Sequence, residues 1–273
     1  MSEIDVAAAR ERERVSDWWT TSVSKIEPGI VELRGHPVQD LIGTTGLAAM
    51  IWLMLRGELP TARQADLLEA AMVAGVDHGP QAPSIAIARM AATCGVELNN
   101  AMASAVNVLG DSHGGAGQQC VELLNDVCAL TARGQDVQAA AAATVAAWRQ
   151  RTRYLPGFGH RFHRVDPRRS PLLDLVVVAV RDGVVAGEHL NAALAIEDEL
   201  NRGRAKPIPM NIDGATAVIY AELGFAPPLA RGLFVLSRSI GILAHAWEES
   251  RSGVRNKGPI PRDLLPSYRA PEA

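Results

Sequence analysis

Several of the seven histidines stand beside a glycine or one residue from it, among them those of Asp77-His78-Gly79-Pro80, Ser112-His113-Gly114-Gly115, Gly159-His160 and Gly187-Glu188-His189. Glycine lets backbone approach a ligand closely, and an imidazole both moves protons and donates hydrogen bonds near neutral pH. Any one of these histidines taken alone is more economically read as a satisfied surface or capping residue; it is the set that looks less accidental. Around the third of them, Tyr154–Arg169 crowds Pro156, Gly157, Gly159 and Pro167 together with His160, His163, Arg161, Arg164, Arg168 and Arg169. Guanidinium forks match carboxylates and phosphates, so this loop suits a multiply anionic ligand, although a run of charge is also the ordinary make-up of a solvated face. A second loop, Arg204–Asp213, ends in Asn211-Ile212-Asp213-Gly214 with Asp213 as its one carboxylate. Asp213 is either a base or the cap of a helix beginning near Thr216.

Several other chemistries lack their residues. Gly157-x-Gly159-x-x-Phe162 has no third glycine and opens no strand–helix unit, so it is not a dinucleotide fingerprint. There is no Gly-x-Ser-x-Gly elbow, and Ser112 beside His113 on one segment is poor triad geometry. His160-x-x-His163 has no Cys or acidic partner at metal-ligand spacing, and no metal is expected. Three cysteines, Cys94, Cys120 and Cys128, form no Cys-x-x-Cys pair; reduced thiols and a cytoplasmic location are the economical expectation. With Lys+Arg 27 against Asp+Glu 30, the net charge of −3 leaves no electrostatic footprint for nucleic acid. No membrane span is expected: Leu175–Val180 and Ala139–Trp148 are too short, and Leu233–Trp247 is interrupted by Arg238 and His245. The charged start, Met1–Arg14, does not read as a signal peptide.

The elements that must hold these residues are mostly helices. Apolar residues make up 48% but aromatics only 4%, and alanine, the best helix former, recurs in runs that let helices approach closely. Period-two alternation occurs only at Ser24–Gly35, where two short segments flank Pro28-Gly29 and predict a small hairpin. Helical spacing predicts Val38–Arg56 ending at Gly57, then Thr61–Ala74, Ser84–Cys94, Glu97–Leu109 and Gly117–Thr131. Val137–Arg149, Leu172–Val180, Glu188–Arg202, Thr216–Leu223 and Ala230–Glu249 complete the set. The fold class is all-α.

Taken together, the motifs resemble the citrate synthase superfamily. Pro156-Gly157-Phe158-Gly159-His160 followed by Asp166-Pro167-Arg168 is similar to its signature. In the family's order come Ser22–Ile26 through Gly35-His36-Pro37, Leu55–Thr61, His113–Ala116, Asn211-Ile212-Asp213, Leu236-Ser237-Arg238 and Ala244–Glu248. The resemblance runs from about Trp19 to Pro261. Asp77-His78-Gly79-Pro80, where synthases carry an acidic residue after the histidine, is similar to citryl-CoA lyases and the citryl-CoA-cleaving module of ATP-citrate lyase. The chain is also shorter than full synthases, and its Lys257–Pro261 tail looks like the lyase form. Gly258 stands where synthases place an arginine that reaches the neighbouring subunit's site; Arg255 and Arg262 are the candidates to replace it.

The resemblance implies a large helical domain, residues 1–115 with 220–273, and a smaller one, 116–219, closing on substrate across a cleft. It implies three catalytic residues: Asp213 as the carbon acid–base, His113 as the donor to an enolate oxygen, and His160 as the proton carrier at the oxaloacetate carbonyl or citryl hydroxyl. His78, Arg168 and Arg238 match the carboxylate-binding residues. Leu155, Pro156, Gly157, Phe158, Gly159 and Arg164 match the region contacting coenzyme A. The expected function is cleavage of citryl-CoA to acetyl-CoA and oxaloacetate. The alternatives are a short citrate or 2-methylcitrate synthase, and a non-catalytic CoA-binding protein. The CoA thioester is substrate rather than a permanently bound cofactor, the other ligands are small carboxylates, and the family resemblance implies a homodimer.

Overall fold

The structure is a computed structural model describing residues 3–160, 164–261, 263–264 and 267–271. Arg161, Phe162, His163 and Arg262 lie outside the described residues, and with them the His160-x-x-His163 spacing and one of the two tail-arginine candidates. By its contacts the chain divides into Met1–Asp66 and Leu67–Ala273.

The first unit holds α1 (Glu3–Trp18) and an antiparallel sheet of β1 (Ser24–Glu27), β2 (Ile30–Leu33) and β3 (His36–Pro37) in the order β1-β2-β3. Ser24 pairs with Leu33 and Glu27 with Ile30, so the hairpin turns at Pro28-Gly29 as its sequence predicts. The helix expected over Val38–Arg56 is instead two, α2 (Val38–Leu41) and α3 (Leu47–Arg56). Gly43 at φ +80° breaks it, and Gly46 restarts it from an extended N-cap. Gly57 ends α3 in the left-handed region, its N–H donating to Leu53 O at 2.8 Å.

α4 (Ala62–Gly75) opens on a capping box, in which Gln64 N donates to Thr61 Oγ1 and Gln64 Oε1 accepts from Thr61 N. The second unit continues with α5 (Pro83–Thr93), α6 (Leu98–Val106), α7 (Ala116–Thr131), α8 (Val137–Arg149), α9 (Arg169–Arg181), α10 (Glu188–Asn201), α11 (Ile212–Glu222) and α12 (Pro227–Ser250). Helix α12 packs on α5, α6 and α7, while α11 packs on α7, α9 and α10. Alanine makes the first of these contacts close: Ala82, Ala88, Ala101, Ala105 and Ala246 surround Ile85 and Ile242 in one buried cluster. By length and composition alone α12 could cross a membrane. Its buried Arg238 and Ser237, however, bond to the backbone of α4, and its inner face belongs to the helical core.

Candidate active site

All the candidate site residues fall in the second unit, and hydrogen bonds fix their positions. Gly157 adopts φ +83°, and its carbonyl accepts from Asn211 N at 3.0 Å. Gly159 N donates to Pro209 O at 2.7 Å, and Asn211 Nδ2 returns to Gly159 O at 2.7 Å. The Pro156–His160 turn and the Met210–Asp213 segment are thereby sewn together. A Cβ on Gly157 would stand 2.9 Å from Gly214 Cα and 2.5 Å from Cys120 Sγ, so only glycine permits this approach. Leu155, Pro156, Gly157 and Phe158 are buried, and Gly159 and His160 are half-buried. Arg164 is exposed on the loop that follows.

Asp213 is not a helix cap, contrary to the alternative its sequence position offers. Asn211 is the N-cap of α11, its Oδ1 accepting from Asp213 N at 2.9 Å and Gly214 N at 3.2 Å. The helix begins at Ile212, and Asp213 sits in its first turn with its side chain free for other work. No described residue hydrogen-bonds the Asp213 carboxylate. Burial raises its pKa, the Arg238 and Arg168 guanidinium groups act against that rise, and Asp166 adds to it.

Asp166, in contrast, is fully satisfied, and its role is not apparent from its sequence position alone. Oδ1 accepts from Arg168 N at 3.0 Å and Arg168 Nε at 2.9 Å, and Oδ2 accepts from Arg168 Nη2 at 2.9 Å and Ile212 N at 3.2 Å. Burial works against its ionisation, yet these donors, Arg168 foremost, hold its pKa down to about 2. One buried carboxylate thus orients Arg168, binds the N-terminal turn of α11, and lies 4.0 Å from His160 Nε2. The His160 ring meets His78 edge to face at 5.5 Å between centroids.

His113 is set from the other side. Its Nε2 accepts from Ser84 N at 3.1 Å and lies 2.9 Å from Ser84 Oγ. Ser84 N belongs to the first turn of α5, where backbone N–H groups have no helical partner. A nitrogen that accepts a backbone N–H carries no proton of its own, so the neutral ring bears its proton on Nδ1. Burial and the nearby Arg238 lower the His113 pKa, which keeps the ring neutral. Ser84 had no distinguishing sequence signal beyond its place after Pro83 at a helix start.

Arg238 is the centre of the cluster. It is 6% exposed, its Nε donates to Gly75 O at 3.1 Å, and its guanidinium lies 4.8 Å from the Phe234 ring. Its charge acts on His78, His113 and Asp213 alike. For His78, burial leads, and Arg168, His160 and Arg238 together hold the imidazole toward its neutral form. The structure therefore brings His78, His113, His160, Arg168, Asp213 and Arg238 to one place. His189 lies elsewhere, its Nε2 3.1 Å from Asn125 Oδ1, and its sequence likeness to the other Gly-flanked histidines is coincidental. Among the described residues, no three His, Cys, Asp or Glu side chains converge as metal ligands.

The family model for the citrate synthase C-terminal domain matches residues 61–262. The chain belongs to the citrate synthase family. Its structure is similar to that of citryl-CoA lyase from Hydrogenobacter thermophilus, with a TM-score of 0.80 and 30% identity over 93% of this chain and 96% of that one. In sequence it is 29% identical to the citrate synthase of Haloferax volcanii over 203 residues, 74% of this chain and 51% of that protein. It is 28% identical to ATP-citrate synthase subunit 1 of Sordaria macrospora over 239 residues, 80% of this chain and 33% of that one. The chain thus spans about half or a third of the length of these two relatives. The all-α, citrate synthase-like architecture with its N-terminal hairpin is the one the sequence motifs imply.

Proposed function

We propose that this citrate synthase family member cleaves citryl-CoA to acetyl-CoA and oxaloacetate. The observation that carries the reading is the pairing of two groups in one cluster. One is a neutral His113 with Nδ1–H free to donate; the other is an Asp213 whose carboxyl is biased toward its protonated form. A thioester enolate needs both, a donor for its oxygen and an acid for its carbon.

In the cleavage direction His160 takes the proton of the citryl hydroxyl, and the C–C bond breaks as that oxygen becomes the oxaloacetate carbonyl. The bonding pair passes to the thioester, forming the enolate whose oxygen accepts from His113 Nδ1–H. Asp213 then delivers its proton to the enolate carbon, giving acetyl-CoA. His78, Arg168 and Arg238 hold the carboxylates; Arg168 is pre-oriented for this by its two bonds to Asp166. Of the residues expected at coenzyme A, we assign the exposed Arg164 to the CoA moiety, with the buried Leu155–Phe158 shaping the turn behind it.

The choice of cleavage over synthesis is favoured by the turn after His78. Gly79 adopts φ +81°, a region that strains the acidic side chain synthases carry there. The likeness to citryl-CoA lyase supports the same direction, while the matches to citrate synthases favour condensation as the second reading. Oxaloacetate release from citryl-CoA, followed by malate dehydrogenase, beside CoA release from acetyl-CoA plus oxaloacetate, separates them. Cleavage with little CoA release supports the proposal, and CoA release as the faster activity overturns it.

We extend the family's domain boundaries to this chain: residues 1–115 with 220–273 as one lobe and 116–219 as the other, closing to exclude water. We also propose that it works as a cytoplasmic homodimer. The exposed Leu236, Ile240, Leu243 and Trp247 recur at helical spacing along α12 and supply an apolar face for a second copy.

A further inference from the structure

We infer that His245, through Asp77, is a positioning residue that sets His78 in the candidate site; this rests on the functional reading above. His245 lies seven residues after Arg238 on α12, two turns along the same face. Its Nδ1 is 3.2 Å from Arg89 Nη1. Arginine can only donate, so Nδ1 accepts and the ring proton sits on Nε2. Nε2 faces Asp77 Oδ1 at 3.3 Å. The other Asp77 oxygen, Oδ2, accepts from Gly79 N at 3.0 Å and so closes the turn whose middle residue is His78.

The far end of this chain of contacts is anchored. Arg89 Nη1 donates to Glu248 Oε2 at 3.2 Å, and its Nη2 pairs with Glu249. Glu249 is 1% exposed, and Lys257 Nζ approaches its other oxygen at 3.7 Å. Arg89 is therefore held at both nitrogens and cannot follow His245 if that ring moves. The near end is close-packed. A Cβ on Gly241 would stand 3.1 Å from Asp77 Oδ1 and would run into Val76 O, so α12 lies directly against the turn. Helix α12 thus delivers two groups in fixed relation: Arg238 itself, and through His245 and Asp77 the imidazole of His78. The spacing of His78 from Arg238 sets the spacing at which two carboxylates can be held. His245 touches no reacting atom, and its loss weakens carboxylate binding while leaving the proton carriers in place.

The two nitrogens of His245 can be tested separately. His245→Gln keeps a donor near the position of Nε2, whereas His245→Asn keeps an acceptor near Nδ1 and is too short to place its amide at Nε2. Nitrogen-detected NMR of the imidazoles reports the tautomer of His245 and the environment of His78 without any turnover. The expected result is an Nε2–H tautomer in the wild type and a His78 resonance displaced in His245→Ala and His245→Asn but close to wild type in His245→Gln. In citryl-CoA cleavage, Ala and Asn raise KM about tenfold or more with kcat within about threefold, and Gln recovers most of the loss. An Nδ1–H tautomer, or a His78 resonance indifferent to all three substitutions, overturns the inference. So does a fall in kcat at unchanged KM. If the wild type neither cleaves citryl-CoA nor condenses acetyl-CoA, the functional reading fails, while the tautomer and the His78 resonance still decide the role of His245. If His245→Ala does not fold, the comparison of Gln with Asn decides it.

Discussion

At the scale of single residues, the site is a set of protonation states imposed by neighbours. His113 is neutral because Ser84 N–H occupies one nitrogen and burial disfavours charge on the other. On the proposed reading His113→Ala removes the donor to the enolate oxygen and is expected to lower kcat by about 10²–10³-fold with little change in KM, measured in steady-state cleavage. The burial proposed to make Asp213 an acid also costs stability. A carboxyl whose folded pKa lies above its unfolded value favours the fold while protonated and opposes it once pH rises through the folded pKa. Asp213→Asn is therefore expected to lose about 10²–10⁴-fold in kcat and to raise Tm at neutral pH, by about 2–4 °C for each kcal/mol of relieved strain. Calorimetry beside the activity assay checks both, and a lower Tm would show that the carboxylate is a net partner of Arg168 and Arg238 rather than a burdened base.

At the scale of elements, Asp166 joins the Arg168 turn to the start of α11. Its pKa is depressed to about 2, so the stability it contributes is present above the ordinary carboxylate range and is lost as pH falls from about 4 towards 2. That shift corresponds to on the order of 2 kcal/mol. Asp166→Asn is expected to flatten the acid limb of the stability curve between those pH values, as read by urea unfolding at each pH. It also releases Arg168, so on the proposed function KM for citryl-CoA is expected to rise. Gly157→Ala tests the seam between the two loops. The methyl group would meet Cys120 and Gly214 in a φ region costly for alanine, and a loss of about 2–4 kcal/mol in stability is expected by denaturant unfolding.

At the scale of the whole molecule, the outward stripe of α12 makes association the prediction to test. Light scattering is expected to give twice the 29.1 kDa chain mass. Replacing Ile240 with Glu, at the middle of the stripe, is expected to shift the population to monomer with helix content retained by circular dichroism.

Much of this was legible before any coordinates. Gly and Pro punctuation marked nearly every helix end, because a helix stop needs either a left-handed residue or a missing N–H. The Pro28-Gly29 hairpin and the alanine helices follow from local spacing, and the residues of the site from the resemblance of their motifs to the citrate synthase superfamily. The break between α2 and α3 is not evident from pattern, because apolar periodicity runs through Gly43 and Gly46 and glycine inside a helical pattern does not by itself end a helix. Asn211 rather than Asp213 caps α11 because both are good caps in sequence, and only the backbone path to Gly157 decides which oxygen meets the N–H groups.

What sequence alone determined, then, is the helical class, the family's motifs and the residue types of the site, each set by contacts within a few residues. Tertiary structure decided which imidazole nitrogen carries a proton, which carboxylate is a satisfied anchor and which is a raised acid, and why Ser84, Asp166 and His245 matter. Those properties depend on the field and hydrogen bonds of groups tens of residues or more away in the chain: Ser84 on His113, Asp166 on Ile212, Arg89 and Asp77 on His245. Folding brings them within 3–4 Å, where burial makes a single N–H decisive.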